Sequence, residues 1–107
     1  MKTSELTGAA LDWAVAKCEG DAWLFEVLDG TSPPGASYHT DWALGGPIIE
    51  KYEIDLKSNE EGVWQASNIF DDMEWYHFLG YSPLVAAMRC YVASKLGDEV
   101  DVPEGLT

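Results

Sequence analysis

The sequence predicts a single α+β domain, with two main helices packed together on a small antiparallel β-sheet. Three observations predict it: a capped helical segment near each end, an apolar period that falls from near four to near two between them, and turn chemistry joining two alternating segments. The 107 residues fit one compact acidic domain spanning 1–107, and a 47% hydrophobic content with five Trp, five Tyr and three Phe can build a core of its own.

Thr7 can cap a first helix from Gly8 to about Lys17, ended by Gly20, with Leu11, Ala14, Val15 and Cys18 as its apolar stripe. Trp23, Phe25 and Val27 then alternate against Leu24, Glu26 and Leu28, which reads as a strand closed by Asp29-Gly30. Pro33-Pro34-Gly35 marks a surface loop. Gly45-Gly46 reads as a turn rather than a phosphate cradle, and Pro47 opens one or two helical turns with Ile48 and Tyr52 on one face. Ile54 and Leu56 start a hairpin that turns through Ser58-Asn59-Glu60-Glu61-Gly62 and returns from Val63 to Ser67. Trp75 to Leu79 fits either an edge strand or an aromatic loop covering the core.

The clearest element is the last helix. Ser82 supplies an N-cap, Pro83 suits the first helical position, and Gly97 stops a run over Pro83–Leu96. Leu84, Val85, Met88, Val92 and Leu96 fall on one face and Ala86, Ala87, Cys90, Ala93 and Ser94 on the other, so neither face is a solvated one. The expectation is a helix between the sheet and the first helix, with small Ala86, Cys90 and Ala93 facing that helix and Cys18 near Cys90, both reduced.

Nineteen acids against six basic residues give a net charge of −13, which excludes direct nucleic-acid binding, because phosphate contacts need clustered Lys and Arg. No segment approaches the ~18 apolar residues of a membrane span, and Met1-Lys2-Thr3-Ser4-Glu5 turns polar where a secretory signal turns apolar; an intracellular protein without membrane partners is expected. The two cysteines have no close Cys or His spacing, so neither a disulfide framework nor a zinc site is indicated. Asp71-Asp72-Met73-Glu74 lacks the loop length and central glycine of a calcium hand, and Glu50-Lys51 is not a nuclease pattern. His39 and His77 read as ordinary histidines, and no Ser or Cys stands in a nucleophile elbow. No cofactor, metal or catalytic set is assigned, and a non-enzymatic role is expected.

Arg89, the sole arginine, lies on an otherwise apolar helix in a protein crowded with carboxylates. A salt bridge to an acid such as Asp41 or Glu50 is the structural expectation; gripping a ligand carboxylate or phosphate is the functional alternative. Five Trp exceed what two helices and three strands can cover, so one or two should reach the surface, with Trp42 and Trp75 as candidate protein contacts beside Trp64. The acids fall into three groups: Glu50, Glu53, Asp55, Glu60 and Glu61; Asp71, Asp72 and Glu74; and Asp98, Glu99, Asp101 and Glu104. They solvate the domain, or they mimic nucleic-acid phosphates toward a DNA-binding protein.

Several blocks resemble the NinX-like family of small tailed-phage proteins. They are Thr3-Ser4-Glu5-Leu6-Thr7-Gly8 with Ala10-Leu11-Asp12-Trp13-Ala14-Val15-Ala16, Asp41-Trp42 before Gly45-Gly46-Pro47-Ile48-Ile49-Glu50, Trp64-Gln65-Ala66, and above all the stretch from Ser82 to Val100. The resemblance implies a phage or prophage origin and an accessory role in the cytoplasm of an infected bacterium, and it supplies no catalytic residues. The expected function is an accessory protein that binds a host or phage protein. One alternative is an acidic DNA-mimic inhibitor of a host defence or regulatory protein. A third is a small-ligand protein or enzyme using the Asp41–Glu50 loop with Arg89.

Overall fold

The structure is a computed structural model that describes residues 2–19, 37–59, 61–69 and 75–102. A short 3-10 turn (Thr3–Glu5) leads into α1 (Gly8–Glu19). After it come α2 (Trp42–Tyr52), β1 (Asp55–Ser58), β2 (Trp64–Ile69), β3 (Trp75–Gly80) and α3 (Pro83–Leu96). The strands form an antiparallel sheet in the order β1-β2-β3, with Leu56 opposite Ala66 and Ala66 opposite Phe78. The α+β class is thus observed, with a third helix, α2, longer than the one or two turns expected. The expected strand at Trp23–Leu28 and the loop at Pro33-Pro34-Gly35 lie outside the described residues.

Local chemistry sets these boundaries. The Ser82 hydroxyl accepts the Val85 N–H at 3.1 Å, Pro83 sits at the helix start, and Gly97 at φ 86° ends α3. The hairpin turn is held by the Asn59 side-chain oxygen, which accepts the N–H groups of Glu61 and Val63, while Gly62 takes φ 82°. Trp75 to Leu79 resolves as an edge strand of the described sheet.

Gly45-Gly46 is not a turn and Pro47 does not open the helix. Asp41 caps α2 by accepting the Ala43 N–H at 2.9 Å, and the helix runs through both glycines and the proline. Pro47 and Ala43 lie toward solvent, so the carbonyl that Pro47 leaves without a helical donor is within reach of water. Glycine is required at 45 because a Cβ there would stand 2.6 Å from Leu84 Cδ2 and 2.9 Å from the Tyr38 carbonyl.

Helix α3 packs against all three strands and both other helices. Its residues Ala86, Ala87, Met88, Cys90, Tyr91 and Val92 are buried with Leu6, Leu11, Ala14 and Val15 in one core. Tyr91 joins the three helices: its hydroxyl donates to Glu19 at 2.7 Å and its ring lies 5.1 Å from that of Tyr52. On the small face of α3, a Cβ at Gly80 would stand 2.7 Å from Ala86 N, and Cys90 Sγ lies 3.7 Å from the Tyr76 carbonyl, so Ala86 and Cys90 admit the close approach of β3. Both cysteines are free, with Cys90 buried and Cys18 partly so.

The two ends of the described fold are latched together. The Thr3 N–H donates to the Asp98 carbonyl at 2.8 Å and the Thr3 hydroxyl to the Gly97 carbonyl at 2.6 Å, while Lys2 bridges to Glu99. This latch places Leu6 next to the edge of β3, where the site lies.

Candidate functional site

Arg89 projects from α3 into the corner between the N-terminal turn and the end of β3. Its Nε–H donates to the Leu6 carbonyl and an Nη1–H to the Leu79 carbonyl, both at 2.7 Å. The expected salt bridge to Asp41 or Glu50 is not formed. Asp41 is engaged in capping α2, and Glu50 is exposed on that helix. The physical reason is that backbone carbonyls from two separate segments hold two of the guanidinium N–H groups and turn it toward the end of β3. Burial pushes the guanidinium below its usual pKa, opposed by Tyr81; arginine stays charged regardless.

A recess of about 430 Å³ opens beside Arg89, lined also by Ser4, Val63, His77, Phe78, Leu79, Gly80 and Tyr81. None of these is acidic, in a protein with nineteen acids. Leu79 is 58% and Tyr81 87% exposed, so an apolar rim surrounds one cation. The volume falls in the ~300–1,000 Å³ range of ligand sites, and the guanidinium N–H groups not spent on carbonyls suit an oxyanion.

A second arrangement lies on α1. Asp12 is 2% exposed and accepts the His39 backbone N–H at 3.1 Å, with His39 Nδ1 at 2.8 and 2.9 Å from its two oxygens. Burial raises the Asp12 carboxyl above its ordinary value, and the His39 hydrogen bonds only partly offset this. An ionised Asp12 requires the proton on Nδ1, which turns Nε2 toward the acceptor role. The ring borders a hollow of about 270 Å³ with Thr40, Trp42, Ser82, Pro83 and Leu84. Ser82 Oγ is engaged in capping α3, so the pair acts as a lock that seats the segment before α2 on α1.

The structure therefore separates residues that the sequence grouped. Asp41, Trp42 and Glu50 belong to α2 and its cap, with Trp42 53% exposed at the His39 hollow, whereas Arg89 lines the recess at β3. Trp75 begins β3, and Asp71, Asp72 and Glu74 lie outside the described residues. Sequence reasoning missed Ser4, Val63, Leu79 and Tyr81, which come together only through the latch and the β3 register. It also missed the Asp12–His39 pair, although Asp12 is a lone acid among apolar neighbours of the first helix, a pattern that asks for a buried partner. Among the described residues no group of three or more His, Cys, Asp or Glu is placed to hold a metal ion. Likewise no described helix is long and apolar enough to cross a membrane.

The described residues thus form a small α+β domain with a partly buried arginine at the head of an apolar recess. The family described as Bacteriophage P22, NinX matches residues 2–95. The protein belongs to that family, and it is a phage accessory protein. No curated protein matches it.

Proposed function

We propose that this accessory protein works in the cytoplasm of the infected bacterium by binding a host or phage protein through the corner where β3 runs into α3. The observation that carries the reading is the exposure of Leu79 and Tyr81 side by side at the rim of the Arg89 recess. Tyr and Arg around an apolar centre are the residue types that concentrate binding energy at interfaces. Glu50, Glu53, Asp55, Glu61, Asp98, Glu99 and Asp101 are all exposed, which favours a partner with a neutral or basic face and disfavours nucleic acid.

The test is site-specific photocrosslinking in the bacterial host, with p-benzoylphenylalanine in place of Tyr81 and, as a control, in place of Lys17, exposed near the far end of α1. A discrete protein adduct at 81, absent at 17 and lost on Leu79→Ser, is the expected result. Equal labelling from both positions, or none from 81, would overturn the assignment of this corner as the interface.

A further inference from the structure

The recess has a chemical preference that the proposed protein-binding role does not by itself specify, and the inference rests on that role. We propose that the Arg89 recess captures the C-terminal carboxylate of a partner protein that ends in an apolar residue. Two N–H groups of the guanidinium are held by the Leu6 and Leu79 carbonyls, which fix its position. A guanidinium carries five such donors, so the remaining ones are available in a fork that matches a planar carboxylate. The cation is partly desolvated and has no acidic neighbour among the described lining residues, so an incoming anion meets no competing carboxylate from them.

The rest of the lining decides what accompanies that anion. Val63, Phe78, Leu79 and Tyr81 offer apolar surface within the same recess. A free amino acid would bring an ammonium, for which the described lining residues hold no carboxylate. A polyphosphate or nucleic acid would be repelled by the net charge of −13. A polypeptide C-terminus has neither drawback, and its last side group branches from the carbon that bears the carboxylate, so both groups enter one recess together. An internal Asp or Glu carries its carboxylate at the tip of its own side group, away from any apolar neighbour.

The experiment is a titration of the ¹⁵N-labelled full-length protein, followed at the Arg89 Nε–H resonance, which is unambiguous because the sequence holds one arginine. The probes are an acetylated Gly/Ser peptide ending in a free leucine, the same peptide as its C-terminal amide, an amide-capped peptide with an internal glutamate, and inorganic phosphate. A saturable shift at Arg89 Nε and at the Leu79, Gly80 and Tyr81 amides with the free-leucine peptide alone is expected. Arg89→Lys keeps the charge but not the fork and should weaken that binding roughly ten- to hundredfold. The wild-type resonance decides the matter even where that variant folds poorly. No saturable shift, an equal shift with the amide, or stronger binding of the glutamate peptide or phosphate would overturn the proposal. A Tyr81 photoadduct that survives Arg89→Lys would leave the protein-binding role standing while removing carboxylate capture. Peptide binding without a photoadduct would do the reverse.

Discussion

Gly45 and Gly46 are adjacent in α2 yet should respond with opposite sign to the same substitution. Gly45→Ala places a methyl 2.6 Å from Leu84 Cδ2 and 2.9 Å from the Tyr38 carbonyl oxygen, well inside the 3.4 Å at which ordinary contact begins. Leu84 can rotate away, but the carbonyl is backbone and yields only if α2 moves off the segment before it. Overpacking of this kind costs about 1–3 kcal/mol, against which the helix gains about 0.5–1 kcal/mol on losing a glycine. The net expectation is a loss of up to ~2.5 kcal/mol. At Gly46 the nearest atom to a new methyl is Trp42 Cε3 at 3.9 Å, so only the helix-propensity gain remains. Gly46→Ala should therefore stabilise by about 0.5–1 kcal/mol. Urea denaturation followed by tryptophan fluorescence reads both, with a slope of ~1–3 kcal/mol/M converting these values to opposite shifts of the midpoint. Equal shifts for the two variants would show that this stretch is not a helix packed on Leu84 and Tyr38. A stabilised Gly45→Ala would refute the close approach directly.

Gly80→Ala should destabilise by about 1–3 kcal/mol, because the new methyl meets the unyielding backbone of Ala86 as well as the Val85 side chain; an unchanged thermal midpoint would mean that β3 does not cross α3 there. Burial raises Asp12 above its ordinary value of 3.8, so the folded state holds this proton more tightly than the unfolded one. That contribution favours folding below the ordinary value and is lost as pH rises through the raised one, so the urea midpoint of wild type relative to Asp12→Asn should fall from about pH 4 upward. A rising difference would reverse the sign of the assignment. Burial holds the Cys18 and Cys90 thiols at about 12 against an ordinary 9.0, so both should alkylate roughly a thousandfold more slowly at pH 8 in the folded state than in urea, as mass spectrometry of the timed reaction will show.

Capping and turn residues made the last helix and the hairpin legible, because Ser82-Pro83, Gly97, Asn59 and Gly62 act within a few residues of themselves. The same local grammar failed at Gly45-Gly46-Pro47. There the reason for glycine is a helix 39 positions away in sequence, in which Leu84 claims the space of a side group. Arg89 was legible as an unusual residue but not as to partner. Acids are visible in a sequence, whereas the Leu6 and Leu79 carbonyls that hold it belong to every residue alike. Exposure of Leu79 over Phe78 followed from strand alternation once the register was known, since Phe78 stands opposite buried Ala66.

The Thr3 latch has a practical corollary for any experiment that uses a fusion. Residues 2 and 99 pair side by side, so additions near either position leave the molecule at one corner. That corner includes Ser4 and Phe78, which also line the Arg89 recess. An affinity handle attached there would crowd the mouth through which a partner must enter, and a failed capture would then report the handle rather than the protein.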